Sequence, residues 1–139
     1  MAPNNEFDSN IQLSAIEAAF ARHGGVLRAN EVVLWMRSDW EQPTSVLAKW
    51  IVSRAMITID WHSDILIPMF QIDFRSRGLR AGCGEIVAEL NDVMDGWEMA
   101  RWFATSNPWL GGLAPVDMLA VSWRNVVDAA RVARFIVRG

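Results

Sequence analysis

Residues 102–119 read WFATSNPWLGGLAPVDML, and this segment decides the fold of the C-terminal half. An asparagine side chain can bond to nearby backbone groups, which suits Asn107 to a turn. The Gly111–Gly112 pair can take the positive φ values that a tight loop requires. Pro115 fits the first turn of a helix, where the carboxylate of Asp117 can meet free backbone N–H groups. The segment therefore predicts a helix, a tight loop and a second helix.

Helical patterns flank this segment on both sides. Residues 85–94 carry apolar side chains at helical spacing. Asp95 and Glu98 form an Asp-x-x-Glu pair of the capping type, which predicts a helix from Gly96 to about Thr105. A final helix is expected from Arg124. These elements predict a helical bundle in the C-terminal half.

Three short helices are expected in the first half. Capping boxes of the Ser-x-x-Gln/Glu type at Ser9–Gln12 and Ser14–Glu17 place the start of the first helix near Ser9 or slightly later. The second helix fits Asn30–Arg37. The third begins at Pro43, which suits a first turn, and runs to about Arg54.

A β-hairpin is expected after the third helix. Residues 56–61 alternate with a period of two, 62–64 form a turn, and 65–72 return as a second strand. Three helices followed by a hairpin is the order of a winged helix-turn-helix. The side chains of Lys49, Ser45 and Ser53 would then face the major groove, and Arg28 and Arg54 would contact phosphates. The alternative is a small α/β unit that packs on the C-terminal half or pairs with another copy.

The fold class expected is therefore mainly α, with a winged-helix-like unit followed by a helical bundle. Residues 74–80 contain three arginines and a glycine and are expected to form a basic, flexible linker. This linker divides the chain into units 1–74 and 75–139. Either these are two very small domains with a shared core, or the chain is one domain.

Composition and charge limit the functional classes. Residues 1–73 hold five Lys or Arg against nine Asp or Glu, and residues 74–139 hold eight against seven. Neither half is a strongly basic module, which counts against strong phosphate attraction. The chain has no basic segment before an apolar run at its N-terminus, no membrane-length apolar stretch, and a single cysteine. We therefore expect a cytoplasmic protein without membrane contact.

No residue set argues for catalysis. His23 follows a helix end, His62 lies in a predicted turn, and neither has the spacing of a metal ligand. Cys83 lies between glycines, which favours a small buried filler. We expect no enzyme activity, no metal and no cofactor.

The central segment resembles the Xre/MbcA/ParS toxin-binding domain, whose pattern is roughly W-[LF]-x-x-P-N-x-x-L-G-G-x-x-P-x-D-L-L. The match extends from about Cys83 to Arg134, and the chain departs from the pattern at Ser106, where the family has proline. Residues 66–71, LIPMFQ, resemble a stretch that precedes this domain in some relatives. The matching positions, which act as a scaffold, are Trp102, Asn107, Leu110, Gly111, Gly112, Pro115, Asp117 and Leu119.

The resemblance implies an antitoxin that covers the active site of a RES-type, NAD-degrading toxin and represses its own promoter. Such a protein would work as a homo-oligomer or a hetero-complex. A stand-alone DNA-binding regulator and a non-catalytic adaptor that docks through an exposed tryptophan, Trp40 or Trp109, are the alternatives. The residues that the resemblance places at the toxin interface are Arg131, Arg134, Phe135 and Arg138, and Trp109 is a further candidate for contact with the toxin or another partner.

Overall fold

The computed structural model describes residues 6–138, and this part of the chain is mainly α, with six helices and a small antiparallel sheet. The predicted fold class is thereby confirmed at this level. The helices are α1 (Glu6–Phe20), α2 (Ala29–Met36), α3 (Pro43–Val52), α4 (Cys83–Leu90), α5 (Gly96–Ala104) and α6 (Pro115–Arg138). The strands are β1 (Val26–Arg28), β2 (Ile59–Trp61), β3 (Asp64–Pro68), β4 (Ile72–Asp73) and β5 (Gly78–Leu79).

The three-stranded sheet has β3 at its centre, with antiparallel neighbours β1 and β2. Leu27 of β1 lies opposite Ile67, and Asp60 of β2 lies opposite Ile65. The expected hairpin is confirmed, although both of its strands are shorter than predicted. Residues 69–71, predicted to continue the second strand, form a 3₁₀ turn instead.

Helix α1 includes Glu6, so the predicted start near Ser9 is wrong. A Ser-x-x-Gln spacing arises by chance inside helices as well as at their ends, and here it lies in the interior. The helix ends at Phe20, and the glycine pair that follows His23 redirects the chain. Gly24 has a φ of 94°, and the Gly25 N–H donates to the Phe20 carbonyl at 2.9 Å.

The segment predicted as a flexible linker is a structured hairpin, so that prediction is wrong. Strands β4 and β5 pair with Ile72 opposite Leu79. The Asp73 carboxylate accepts hydrogen bonds from the Arg75 and Ser76 N–H groups at 2.9 and 3.3 Å. The hydrogen bonds from Ser76, and then from Arg75, lower the pKa of Asp73. The Asp73 side chain therefore stabilises a turn that the basic composition of the segment did not indicate.

The larger apolar core combines side chains from before and after residue 74. The Phe70 ring lies between Phe20 and Phe103, with centroid distances of 5.0 and 4.9 Å. The start of α5 lies so close to the chain before β2 that a Cβ on Gly96 would lie 1.8 Å from the Thr58 carbonyl oxygen. A second cluster joins α2, α3 and β3.

Gln71 is the polar side chain at the centre of this arrangement and is fully buried. Its Nε2 donates to the carbonyls of Ile57 and Pro68, each at 3.0 Å, and its Oε1 accepts from the Ile57 N–H. The side chain therefore joins two backbone segments through buried hydrogen bonds.

Helix α6 has an internal break at Ser122, whose φ of −159° and ψ of 95° are extended. The Ser122 Oγ accepts from the Asn125 N–H at 3.3 Å, as an N-cap does for the helical segment that follows. Neither α6 nor any other helix within residues 6–138 is apolar enough over sufficient length to cross a membrane.

Candidate functional site

The loop between α5 and α6, residues 105–114, is organised by Asn107 and is called the motif loop below. The Asn107 Oδ1 accepts from the Trp109 N–H at 2.9 Å, which confirms the predicted local bond. Its carbonyl accepts from the Leu110 and Gly112 N–H groups at 3.0 Å, and its N–H donates to the Leu113 carbonyl at 3.0 Å. One residue therefore holds both ends of the loop.

The other scaffold positions lie within the motif loop or in the helices on either side of it. Gly111 and Gly112 have φ values of 66° and 86°, so the positive values predicted for them are confirmed. Pro115 begins α6, as predicted. The apolar scaffold residues are buried or half-buried: Trp102, Leu110, Pro115 and Leu119.

Trp109 projects from this loop into solvent, with 66% of its surface exposed, whereas its neighbour Leu110 is buried. Leu113 on the same loop is also exposed. Large apolar side chains held on a fixed backbone are typical of interface anchors, because little conformational entropy is lost on binding. The motif loop is therefore the strongest candidate for a binding site in the C-terminal half.

Asp117 has a different role from the one expected at a helix N-terminus. Its Oδ1 lies 2.7 Å from the Nε2 of His23 and 3.0 Å from the Nη2 of Arg22. The carboxylate therefore ties the start of α6 to the residues that follow α1. A separation of more than ninety residues puts this pairing beyond sequence reasoning.

All three predicted interface arginines pair with carboxylates within the chain. Arg134 makes bonds of 2.6 and 2.8 Å to the two carboxylate oxygens of Asp92, and Arg138 reaches the same carboxylate at 2.8 Å. Arg131 binds Glu89 at 3.1 Å and Asp128 at 3.3 Å. These guanidinium groups hold the last turns of α6 against α4 and against the residues that follow α4. The hydrogen bond from Arg134 lowers the pKa of Asp92.

The end of α6 exposes a short apolar run, Phe135–Ile136–Val137, called the C-terminal tip below. Phe135 is 77% exposed, and the other two side chains are more than half exposed. Large apolar side chains that are exposed together are typical of interaction sites. Sequence reasoning selected Phe135 but missed Ile136, Val137 and Leu113. The signal available was three consecutive apolar residues beyond the last helical position that could reach the core.

The predicted DNA-contacting residues do not form one free surface. Ser45 and Lys49 are exposed one turn apart on α3. Arg28 pairs with Asp64 at 3.3 Å. Arg54 donates to the Asn91 carbonyl at 3.1 Å. The fifth residue, Ser53, ends α3 and donates to the Trp50 carbonyl at 3.4 Å.

The features that bear on catalysis are the thiol of Cys83 and the depression beside His23. Burial raises the pKa of the Cys83 thiol to about 12, so a thiolate nucleophile is disfavoured. The depression beside His23 is lined by Arg22 and Arg80 and by Asp73, with Asp117 bound to His23 and Arg22, so its charges nearly balance. Within residues 6–138, no three His, Cys, Asp or Glu side chains cluster closely enough to hold a metal ion.

Comparison of the chain with protein-family models, with curated proteins and with solved structures gives no match.

Proposed function

We propose that this protein is an antitoxin-like, non-catalytic inhibitor that binds a RES-type, NAD-degrading toxin in the cytoplasm. The observation that carries the proposal is the exposed Trp109 on a loop fixed by Asn107. The loop coincides with the segment that resembles the Xre/MbcA/ParS domain. The exposed C-terminal tip supplies a second apolar contact.

Inhibition would come from occlusion. Trp109 and Phe135 would be buried against the toxin, and the covered surface would exclude its substrate. A stable complex of this kind buries about 800 Å² on each partner. Arg131, Arg134 and Arg138 would act indirectly, because their pairing with Glu89 and Asp92 positions the tip.

The test is affinity purification of the tagged full chain from its native cells, with the bound proteins identified by mass spectrometry. The native chain should recover a RES-type, NAD-degrading protein at about a one-to-one ratio. Trp109→Ala and Phe135→Ala should each reduce capture at least about tenfold, the effect of losing about 1.4 kcal/mol. Phe7→Ala removes an equally exposed ring from α1 and should leave capture unchanged. Recovery of no such protein would refute the proposal.

The second candidate function is regulation through DNA binding by the first half. It is supported by the order α1, β1, α2, α3, β2, β3 and by the pairing of β1 with the β2–β3 hairpin. Lys49→Ala should then weaken salt-dependent binding to the protein's own promoter. Equal binding by Lys49→Ala and the native chain would remove α3 from the proposed contact.

A further inference from the structure

The packing of α2 on α3 leaves an apolar groove of about 570 Å³ on the surface. This volume is within the range of small-molecule sites. One face of each helix contributes, and the large Leu34 side chain at the groove is 59% exposed. Exposed apolar surface of this kind is typical of binding sites. The apolar residues that line the groove are Ala29, Val33, Leu34, Leu47, Ala48 and Ile51.

The groove has one strongly polar end. Arg37 directly follows α2 and Thr44 lies in the first turn of α3, so both flank the connection between the two helices. Asn30 lines the opposite end, where its Oδ1 already accepts from the Glu31 N–H at 3.0 Å. The free donors of the groove are therefore concentrated at the end that holds Arg37, and the middle is apolar.

The charge of the groove is that of Arg37 alone. All the residues that line it lie within 6–138, and the others among them are uncharged. Within the same described range, the Arg37 guanidinium takes part in no ion pair. A guanidinium presents a planar pair of N–H donors that matches the two oxygens of a carboxylate. The groove therefore complements a ligand with an apolar body and a single carboxylate at one end.

The length of the groove sets the length of that apolar body. From Ala29 to Arg37, the α2 helix rises by about 12 Å. An extended chain gains about 1.2 Å per bond, so on the order of ten bonds fit along the groove.

We propose that the α2–α3 groove binds an amphiphilic carboxylate with an unbranched chain of about ten carbons. The Arg37 guanidinium pairs with the carboxylate, and the chain lies along Val33, Leu34 and Ala48 towards Ile51. None of these residues belongs to the motif loop or to the C-terminal tip. The site is therefore separate from the surface proposed for the toxin.

The test is isothermal titration calorimetry of the full chain with decanoate, at concentrations below those at which decanoate forms micelles. Decanoate should bind in a one-to-one ratio. Decyltrimethylammonium has the same chain and the opposite charge, and it should bind at least about tenfold more weakly because Arg37 repels it. The shorter homologue hexanoate should also bind at least about tenfold more weakly, because it buries fewer methylene groups.

Two variants with matched controls test the assignment of the residues. Arg37→Gln should lower the affinity for decanoate about fivefold and remove the preference over decyltrimethylammonium. Arg75→Gln removes an equally exposed arginine outside the groove and should bind like the native chain. Ala48→Phe fills the groove and should abolish binding. Ala18→Phe adds the same ring at an exposed position of α1 and should leave binding unchanged. Circular dichroism establishes that each variant is folded.

Methyl NMR spectra locate the ligand on the native chain. Decanoate should shift the methyl signals of Val33, Leu34 and Ile51 most, and it should raise the melting temperature because it binds the folded state. The proposal is overturned if decanoate does not bind, or if it binds no more tightly than decyltrimethylammonium. Signal changes centred on the C-terminal tip, or a melting temperature that falls with decanoate, would overturn it as well.

Discussion

Gln71 satisfies three buried backbone groups with one side chain. Gln71→Leu keeps a similar volume but removes these three hydrogen bonds, and each buried group that is left unsatisfied costs about 1–3 kcal/mol. We expect the free energy of unfolding to fall by about 3 kcal/mol, measured by urea unfolding with tryptophan fluorescence.

Gln12→Leu is the control for this change. Gln12 also accepts a hydrogen bond, from Arg101 at 3.2 Å, but it lies at the surface. This variant should stay within about 0.5 kcal/mol of the native chain. A similarly small effect for Gln71→Leu would contradict the role assigned to the buried amide.

Cys83 should make stability depend on pH in the alkaline range. The pKa of its thiol is raised to about 12 in the folded chain, mainly by burial, from an ordinary value of 9.0. The contribution of the protonated thiol to the stability of the fold is therefore complete below pH 9 and is lost as the pH rises towards 12. The loss should approach about 1.4 kcal/mol per pH unit, the effect of one proton.

The measurement is urea unfolding at several pH values between 8 and 12 for the native chain and for Cys83→Ala. Few other side chains titrate in this pH range, because the chain has no tyrosine and a single lysine. Cys83→Ala should show a shallower decrease in this range, whatever its stability at pH 8. Parallel curves for the two proteins would show that the thiol does not titrate as expected.

At the scale of elements, the contact between α4 and the last turns of α6 depends on Arg134 and Asp92. Arg134→Ala removes the two-bond contact to Asp92 and the bond to the Glu89 carbonyl. We expect faster amide hydrogen exchange in residues 131–138, while exchange in the core helices changes little. Arg124→Ala, which removes only a guanidinium that lies over the Trp123 ring, should leave this segment unchanged.

The same contact gives a direction for acid sensitivity. The pKa of Asp92 is lowered in the folded chain. Its contribution to the stability of this contact is therefore fully present at a pH above the unfolded pKa of about 3.9. It is lost as the pH falls through the lower folded value. Asp92→Asn should therefore remove this acid dependence of exchange in residues 131–138.

The elements that were predicted well are those fixed by neighbours in sequence. The Asp95–Glu98 capping box forms both of its expected hydrogen bonds, at 2.8 and 3.1 Å, because all four groups lie within one helical turn. The β4–β5 hairpin was missed because three arginines obscured the turn made by Asp73. The 3₁₀ turn at Gln71 was missed because its bonds reach back to Ile57.

At the scale of the whole molecule, Gly96 marks where α5 meets the chain before β2. Gly96→Ala would force a methyl group against the Thr58 carbonyl and should destabilise the fold by about 2–3 kcal/mol. Gly84→Ala is a matched control on α4, since a Cβ there meets nothing within 4 Å. It should be neutral or slightly stabilising in thermal unfolding. Equal melting temperatures for the two variants would contradict this close approach.

The candidate site was only partly predictable at this scale. The motif loop could be predicted because Asn107, the two glycines and Pro115 act on adjacent backbone. The engagement of Arg134 could not, because its partner Asp92 lies 42 residues away in sequence. Similarly, the exposure of Trp109 and the burial of Trp97 depend on tertiary packing, since both are tryptophans in helical turns.

The break at Ser122 separates the direction of the helical segment that follows it from that of the first turns of α6. Sixteen residues of helix, 123–138, follow it and span about 24 Å. Val126, Val127, Ala129 and Ala130 of this segment are buried in the core, so its direction is fixed. A difference of about 10° in the angle at Ser122 would correspond to about 4 Å at the far end. The ion pairs that Glu89 and Asp92 make with the arginines of α6 help to hold the segment at its observed angle. These pairs therefore fix where the exposed side chains of Phe135–Val137 are presented, while the buried residues hold the rest of the segment in the core.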